Sequence, residues 1–557
     1  MTWTALPVLS RVVGCEAPYS FYFSLIEPFW KSTSSDSAPL HRLTTLARKQ
    51  GARALLIEDA SELPSVAQEI ATLDERMGGG GTAEAMLLSF LNEMPEKEDI
   101  QTVGDACLIG QCALINYRPR DAVEFQTTFV YEAFFATPSL DSGTRLLNNF
   151  INCEAVFEVA VHGRKFCIKG LYYAQQNGIT SVCAHACIRM ATRTLHPSQP
   201  SPSTEEINRL VGDPPPADGM LVEQISSALA TITQREVALV DCTSIEPSEY
   251  VSVLTAAADS GDIALLVFET GAPPRDGDGE DRADEPDGSA NDDAPAEISP
   301  TNHVVVVYGY TRNSDEWHPQ AIPEYTGEPS ARHCPSSAWV DHFVIHDDNF
   351  GPYLALSSRA LEADPTLRAE KILIVRRLPT TLEAHVAEAA SAIIMGQATQ
   401  MFVDDAHDNK WLNYLLRYRK PLVTRPVLLT REEYCAHIGA TVGHDGSHLN
   451  GSIQSLGEAL PEVMWMVELT LPDLFTGNHS KLGEILLEAG HSGGDSFSVD
   501  RVRGVRLPSR FMLAHGGEAR NLGEFLQAGH GEPRDVRNFP LTSHSPLYER
   551  HPPERQW

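Results

Sequence analysis

The chain has 557 residues, 42% of them hydrophobic and 21% charged, a composition that supplies apolar side chains for more than one packed core. Lys plus Arg number 43 against 75 Asp plus Glu, and the resulting formal charge of −32 excludes nucleic acid or an anionic membrane as the main partner. The ten cysteines contain no C-x-x-C pair, which argues against a zinc ribbon or a thioredoxin-type motif and fits reduced, buried thiols.

No stretch approaches the roughly 18 uninterrupted apolar residues of a membrane span. The opening MTWTALPVLSRVVG has no basic segment followed by a long apolar run, so no secretory leader is expected and the cytoplasm is the expected location. Length alone suggests about three domains. Residues 1–150 mix helical patterns (LHRLTTLARKQGARALLIEDA, TAEAMLLSFLNEM) with strand-like runs (DACLIGQCALINYR, EFQTTFVYEAFFA) and carry no recognisable catalytic motif. LPSVAQEIATLDERMGG runs into the Gly-rich 78–81 like a double-glycine leader, although a helix ending in a flexible connection is the simpler reading.

Residues 151–379 open with strand-like AVFEVAVHGRKFCIKGLYY. A short loop, AQQNGITS, leads to the apolar-periodic VCAHACIRMATRTL, read as a helix. Two more helical patterns follow, STEEINRLVG with Ser203 and Glu206 at capping-box spacing, and GMLVEQISSALATI. The texture then turns to strands: IALLVFE, HVVVVYGYT, WVDHFVIHDD and EKILIVRRL. Between the first two lies an acidic insertion at 272–300. Its core, residues 275–297, holds ten carboxylates and two arginines and has nothing to bury, so it reads as a solvated, disordered loop. Residues 380–557 begin with a helix, TLEAHVAEAASAIIMGQ, followed by strands LVTRPVLLT and EVMWMVELTL, a helical KLGEILLEA and a Gly/His/Pro-rich tail. This last segment is a candidate for substrate or partner recognition.

Three segments carry chemistry: QQNGITSVCAHAC (175–187), NHVVVVYGY (302–310) and VIHDDNFGPY (344–353). A cysteine nucleophile reacts as thiolate and must sit where negative charge is favoured. Cys183 begins a helix, where unpaired N–H groups and the helix dipole supply that field. His303 opens a strand of four valines and is the candidate base. Asp347 ends the strand HFVIH and is the candidate orienter, with Asp348 and Asn349 as rivals because one residue of register reverses a side chain. Gln176 or Gln175 is placed to donate an amide N–H to an oxyanion. Cys187 and His185 read as structural; His185 points about 200° around the helix from Cys183. His346 beside two aspartates hints at a metal, but no second His/Cys cluster stands at ligand spacing, so neither metal nor cofactor is expected.

In order and texture these residues resemble the papain-like cysteine peptidases, in particular the bacterial branch that includes double-glycine leader peptidases. The likeness covers roughly 165–379. It departs at two points: Ala184 follows the cysteine where relatives have Gly, and Gln176 lies seven residues before Cys183, with Asn177 at the usual six. The resemblance implies Gln176 in the oxyanion hole, Cys183 as nucleophile, His303 as base and Asp347 as orienter. It implies an α+β, multidomain chain whose central papain-like fold, a helical subdomain plus an antiparallel sheet, is flanked by two mixed α/β domains. The expected activity is hydrolysis of a peptide or isopeptide bond in a protein or peptide substrate. Transfer to another acceptor, side-chain deamidation, or an inactive binding scaffold on the same fold are the alternatives.

Overall fold

The computed structural model describes residue 24 and residues 26–96, 99–138, 149–212, 219–270, 301–312, 333–364, 367–402, 410–417, 422–440, 460–472, 475, 480–490, 498–507, 510–513 and 539–540. The acidic insertion, most of the segment after His303's strand and the C-terminal tail lie outside these residues. The molecule is mixed α+β, built on three six- or seven-stranded sheets that are antiparallel apart from one short strand.

The first sheet contains β1 (Ala54–Asp59), β2 (Thr82–Leu91), β3 (Leu108–Arg118), β4 (Thr127–Ala136), β6 (Ala155–Val161) and β7 (Arg164–Tyr173), in the order β1-β2-β3-β4-β7-β6. Helix α1 (Ala38–Lys49) packs Leu40, Leu43 and Leu46 into the core on one side of it. Helix α2 (Pro64–Arg76) covers the other with Val66, Ile70 and Leu73. This double covering explains β2, which the sequence reads as a helix. Met86, Leu88 and Phe90 enter one core while Ala85 faces the other, so the strand shows no apolar/polar alternation. The sheet also runs past residue 150: strands β6 and β7, read at the head of the central segment, pair into it through β4.

The second sheet has the order β13-β12-β10-β9-β14-β8. Its strands are β8 (Val237–Asp241), β9 (Ile263–Thr270), β10 (Thr301–Arg312), β12 (Val340–Asp347), β13 (Gly351–Ser357) and β14 (Leu367–Val375), and β5 (Asn149–Ile151) pairs with the far half of β10. Three helices precede it: α3 (Cys183–Leu195), α4 (Thr204–Val211) and α5 (Val222–Thr233). Helix α4 starts as its capping residues require, with Ser203 Oγ accepting from the Glu206 N–H and Glu206 Oε2 accepting from the Ser203 N–H. Helix α3 lies between the first two sheets and closes one continuous core with both. The valines of β10 divide accordingly: Val304 and Val306 enter the core shared with α3, and Val305 and Val307 the core shared with α6 (Pro247–Ser260).

Beyond the short α7 (Ser358–Ala363), the third sheet joins β11 (His333–Pro335), β15 (Leu422–Thr430), β16 (Val463–Thr470), β18 (Gly483–Glu488), β19 (Val502–Leu507) and β20 (Arg510–Leu513), in the order β11-β15-β16-β18-β19-β20. Strand β17 (Ser480–Lys481) pairs with β21 (Phe539–Pro540). Helices α8 (Ala384–Phe402), α9 (Lys410–Arg417) and α10 (Arg431–Ala440) accompany the sheet. KLGEILLEA, read as helical, is instead a strand: Ile485 and Leu487 bury on one face and Leu486 on the other. Tertiary burial between two neighbouring strands overrides the helix preference of Leu and Glu there. Among the described residues no helix is long and apolar enough to cross a membrane.

Ionic contacts weld the second and third sheets together. Arg425 on β15 reaches Asp259 of α6 at 2.7 Å and Glu468 of β16 at 3.0 Å, all fully buried. Arg377, just after β14, binds Glu433 at 2.6 Å and donates to the carbonyls of Ser260 and Leu428.

Candidate active site

Residues 174–182 are wound into a fixed loop before α3. Gln175 exchanges two backbone bonds' worth of contact with β4, its N–H donating to Val130 O and its Oε1 accepting from Val130 N, each at 2.9 Å. Asn177 Oδ1 accepts from the backbone of Ile179, Thr180 and Ser181, and its Nδ2 donates to Glu69 of α2 at 2.8 Å. Gly178, at φ +70°, supplies the left-handed residue that lets the chain close around Asn177. Gln175 and Asn177 are thus committed to the scaffold. Gln176 is the partly exposed member of the three, and its Nε2 donates to Asn349 Oδ1 at 2.8 Å.

Cys183 is the first residue of α3 and is partly exposed. Cys187, one turn on, is buried, donates its thiol to Val304 O at 3.3 Å, and has its pKa pushed well up, first by burial. The same helix is anchored on its other side by polar groups. His185 Nδ1 accepts from the Val182 N–H and its Nε2 meets Asn208 Oδ1 at 2.7 Å, while burial drives its pKa down to about 4; it is a neutral cap. Arg189 is buried among Tyr131, Tyr172, Glu69 and Glu132, with its guanidinium 4.4 Å from the Tyr131 ring centroid and bonded to the Tyr172 hydroxyl at 3.1 Å. Nothing in the spacing of the sequence marks Arg189, Glu69 or Glu132 as one cluster, because they come from three separate elements.

His303, at the start of β10, meets both neighbours the sequence expects. Its Nε2 lies 3.1 Å from Asp347 Oδ2, and the Cys183 thiol is close enough to act on the charge of the ring. Phe268, opposite it on β9, stands edge-on to the imidazole at 5.5 Å. Burial by itself lowers the imidazole pKa, but the hydrogen bond to Asp347, the neighbouring Cys183 and the charges of Asp347 and Asp348 outweigh it and raise the value to about 10, which favours the protonated ring.

Asp347 does two jobs. While Oδ2 faces His303, Oδ1 accepts from the N–H groups of Asn349 and Phe350 at 2.8 and 3.3 Å, closing the turn into β13. Asp348 sits deeper. Its Oδ1 is 3.9 Å from His303 Nε2, neither oxygen is hydrogen-bonded to another of the described residues, and burial raises its pKa to about 7. Asn349 turns away from the imidazole toward Gln176. The three rivals thus occupy three separate places: Asp347 on the imidazole, Asp348 behind it, Asn349 on the glutamine.

This turn is fixed from outside. The Tyr353 hydroxyl accepts from Leu171 N at 3.0 Å and donates to Phe135 O at 2.8 Å, between β7 and β4 of the first sheet. Arg42 of α1 donates to Pro352 O at 2.9 Å and also to Tyr353 O. His346, which the sequence raised as a metal ligand, is buried among the rings of Tyr173, Tyr308 and Tyr353, and burial lowers its pKa to about 3. It points into the core. The donors that do converge are His303, Asp347 and Asp348, whose ligand atoms all lie within 4.8 Å of one another.

A cysteine thiol at the N-terminus of a helix can pass its proton to a neighbouring imidazole to give a thiolate–imidazolium pair, and a carboxylate on Nε2 fixes the ring. That is the chemistry of nucleophilic attack by sulfur followed by proton donation. No protein-family model matches this chain, and no curated protein matches it in sequence.

Proposed function

We propose that the chain is a papain-like cysteine hydrolase that cleaves a peptide or isopeptide bond in a protein or peptide substrate. One observation carries the reading: His303 pairs with Asp347 at 3.1 Å and neighbours Cys183, the first residue of α3, and these groups raise the imidazole pKa. The imidazolium stabilises the Cys183 thiolate, which attacks the substrate carbonyl carbon and moves its π electrons onto oxygen. Gln176 spends one Nε2–H on Asn349 and retains the other for that oxyanion, together with the Cys183 backbone N–H. Collapse of the tetrahedral species breaks the C–N bond, and His303 gives its proton to the leaving amine. Water, deprotonated by the now neutral His303, attacks the thioester; its collapse releases the acid and restores the ion pair.

The test has two readings. Iodoacetamide near neutral pH should label wild type and Cys187→Ala, and Cys183→Ala should lose the modified peptide. Peptide libraries incubated with wild type and Cys183→Ala should then differ by new termini that depend on Cys183. A folded wild type whose Cys183 stays unmodified would sink the thiolate nucleophile. Labelling without any Cys183-dependent change in the library would leave amide transfer, deamidation or a binding scaffold as the better description.

A further inference from the structure

We propose that His303 Nε2 and the carboxylates of Asp347 and Asp348 form a binding site for one divalent zinc ion. Three donor atoms, one imidazole nitrogen and two carboxylate oxygens, lie within 4.8 Å of one another. The nitrogen is 3.1 Å from Asp347 Oδ2 and 3.9 Å from Asp348 Oδ1. Tetrahedral ligands held at about 2.0–2.1 Å from zinc stand roughly 3.3–3.4 Å apart, so small side-chain adjustments bring all three onto one ion.

The second observation concerns Asp348 itself. Its side chain is 0% exposed and, among the described residues, neither oxygen is hydrogen-bonded to another residue. A buried carboxylate without donors is strongly disfavoured unless a proton or a cation sits on it. The nearby imidazole is engaged by Asp347 at the shorter distance, so the Asp348 carboxylate faces the site without a donor from another described residue. An imidazole nitrogen in the set favours zinc over magnesium or calcium, which take all-oxygen shells. Three protein ligands leave a fourth position for water.

The functional consequence rests on the thiol-hydrolase reading. Zinc takes the lone pair of Nε2 and releases the proton held there, turning His303 into a neutral metal ligand. Cys183 then loses its cationic partner and Asp347 no longer orients the ring, so the ion is an inhibitor of thiol chemistry. The three proposed ligands do not include the Cys183 sulfur.

Zinc chloride titrated calorimetrically into chelator-stripped, full-length Cys183→Ala tests binding without reference to activity. One ion per chain is expected, with affinity at least tenfold weaker in Cys183→Ala/Asp348→Asn and in Cys183→Ala/His303→Gln. Absence of binding to Cys183→Ala, or affinity unchanged in both double variants, overturns the proposal; so does zinc that binds wild type but not Cys183→Ala. The isosteric Asn and the separate His303 variant keep the test decisive if one of them misfolds. In wild type, zinc should slow iodoacetamide labelling of Cys183 at least tenfold, with recovery on chelation. If Cys183 is inert with and without zinc, the hydrolase reading fails while the calorimetry still decides the metal site.

Discussion

Arg189 illustrates how much of the site depends on a residue that touches no substrate. Its guanidinium is the cation that faces both Glu69 and Glu132, whose pKa values burial raises, and Glu69 in turn receives Asn177 of the loop before Cys183. Arg189→Met removes the cation and leaves two carboxylates buried, so stability should fall by roughly 3–5 kcal/mol in a denaturant titration. Replacement with no measurable loss would mean that the carboxylates were already neutral. At Asn349 the argument concerns orientation. Asn349→Ala frees the Gln176 amide while leaving Asp347 and His303 in place. If the hydrolase reading holds, turnover should drop about tenfold or more while the rate of Cys183 alkylation stays within about twofold of wild type. Equal loss in both measurements would place Asn349 in the scaffold.

Among elements, α8 carries a buried titration. Glu388 receives the Thr424 hydroxyl of β15 at 2.9 Å, yet burial, with a contribution from Asp259, raises its pKa to about 7. The folded state therefore binds this proton more tightly than the unfolded chain does. Its stabilising contribution is complete below about pH 4.5 and is lost as pH rises through 7, at up to about 1.4 kcal/mol per pH unit. Glu388→Gln should flatten this part of the stability profile, and parallel wild-type and variant profiles from pH 4.5 to 7 would contradict the assignment. Helices α1, α2, α3, α4, α5 and α8 and strands β3, β4, β9, β10 and β12 were legible from periodicity, and the approach of His303 to Asp347 from their order. Strands β1, β2 and β18 were not: their apolar runs are buried without alternation, and their Leu, Ala and Glu residues favour helices on local grounds. The turn at 347–349 could not be resolved from sequence either: the place of each side chain depends on one residue of register and on a hydrogen bond to the Asp347 carboxylate. Gln175, Gln176 and Asn177 pose the same problem, since all three amides are chemically suited and tertiary contacts alone commit two of them.

The molecule as a whole does not divide at the bounds of the segment that carries its candidate catalytic motifs. Helix α3 buries one side on β7 and the other on β10, and strands β6 and β7 complete the first sheet. An isolated fragment of residues 151–379 should therefore lack a packed tertiary structure, with bound hydrophobic dye and no near-ultraviolet circular dichroism. A fragment that unfolds cooperatively and alkylates at the wild-type rate would refute this. The hairpin that carries Asp347 has a further consequence, because Tyr353 and Arg42 pin it to β4, β7 and α1. Heat, a ligand or a partner that loosens those N-terminal elements would release the carboxylate from the imidazole before the second sheet itself melts. On the hydrolase reading, thiol reactivity at Cys183 would gauge the integrity of a distant part of the chain, and its decay on warming should follow the N-terminal sheet.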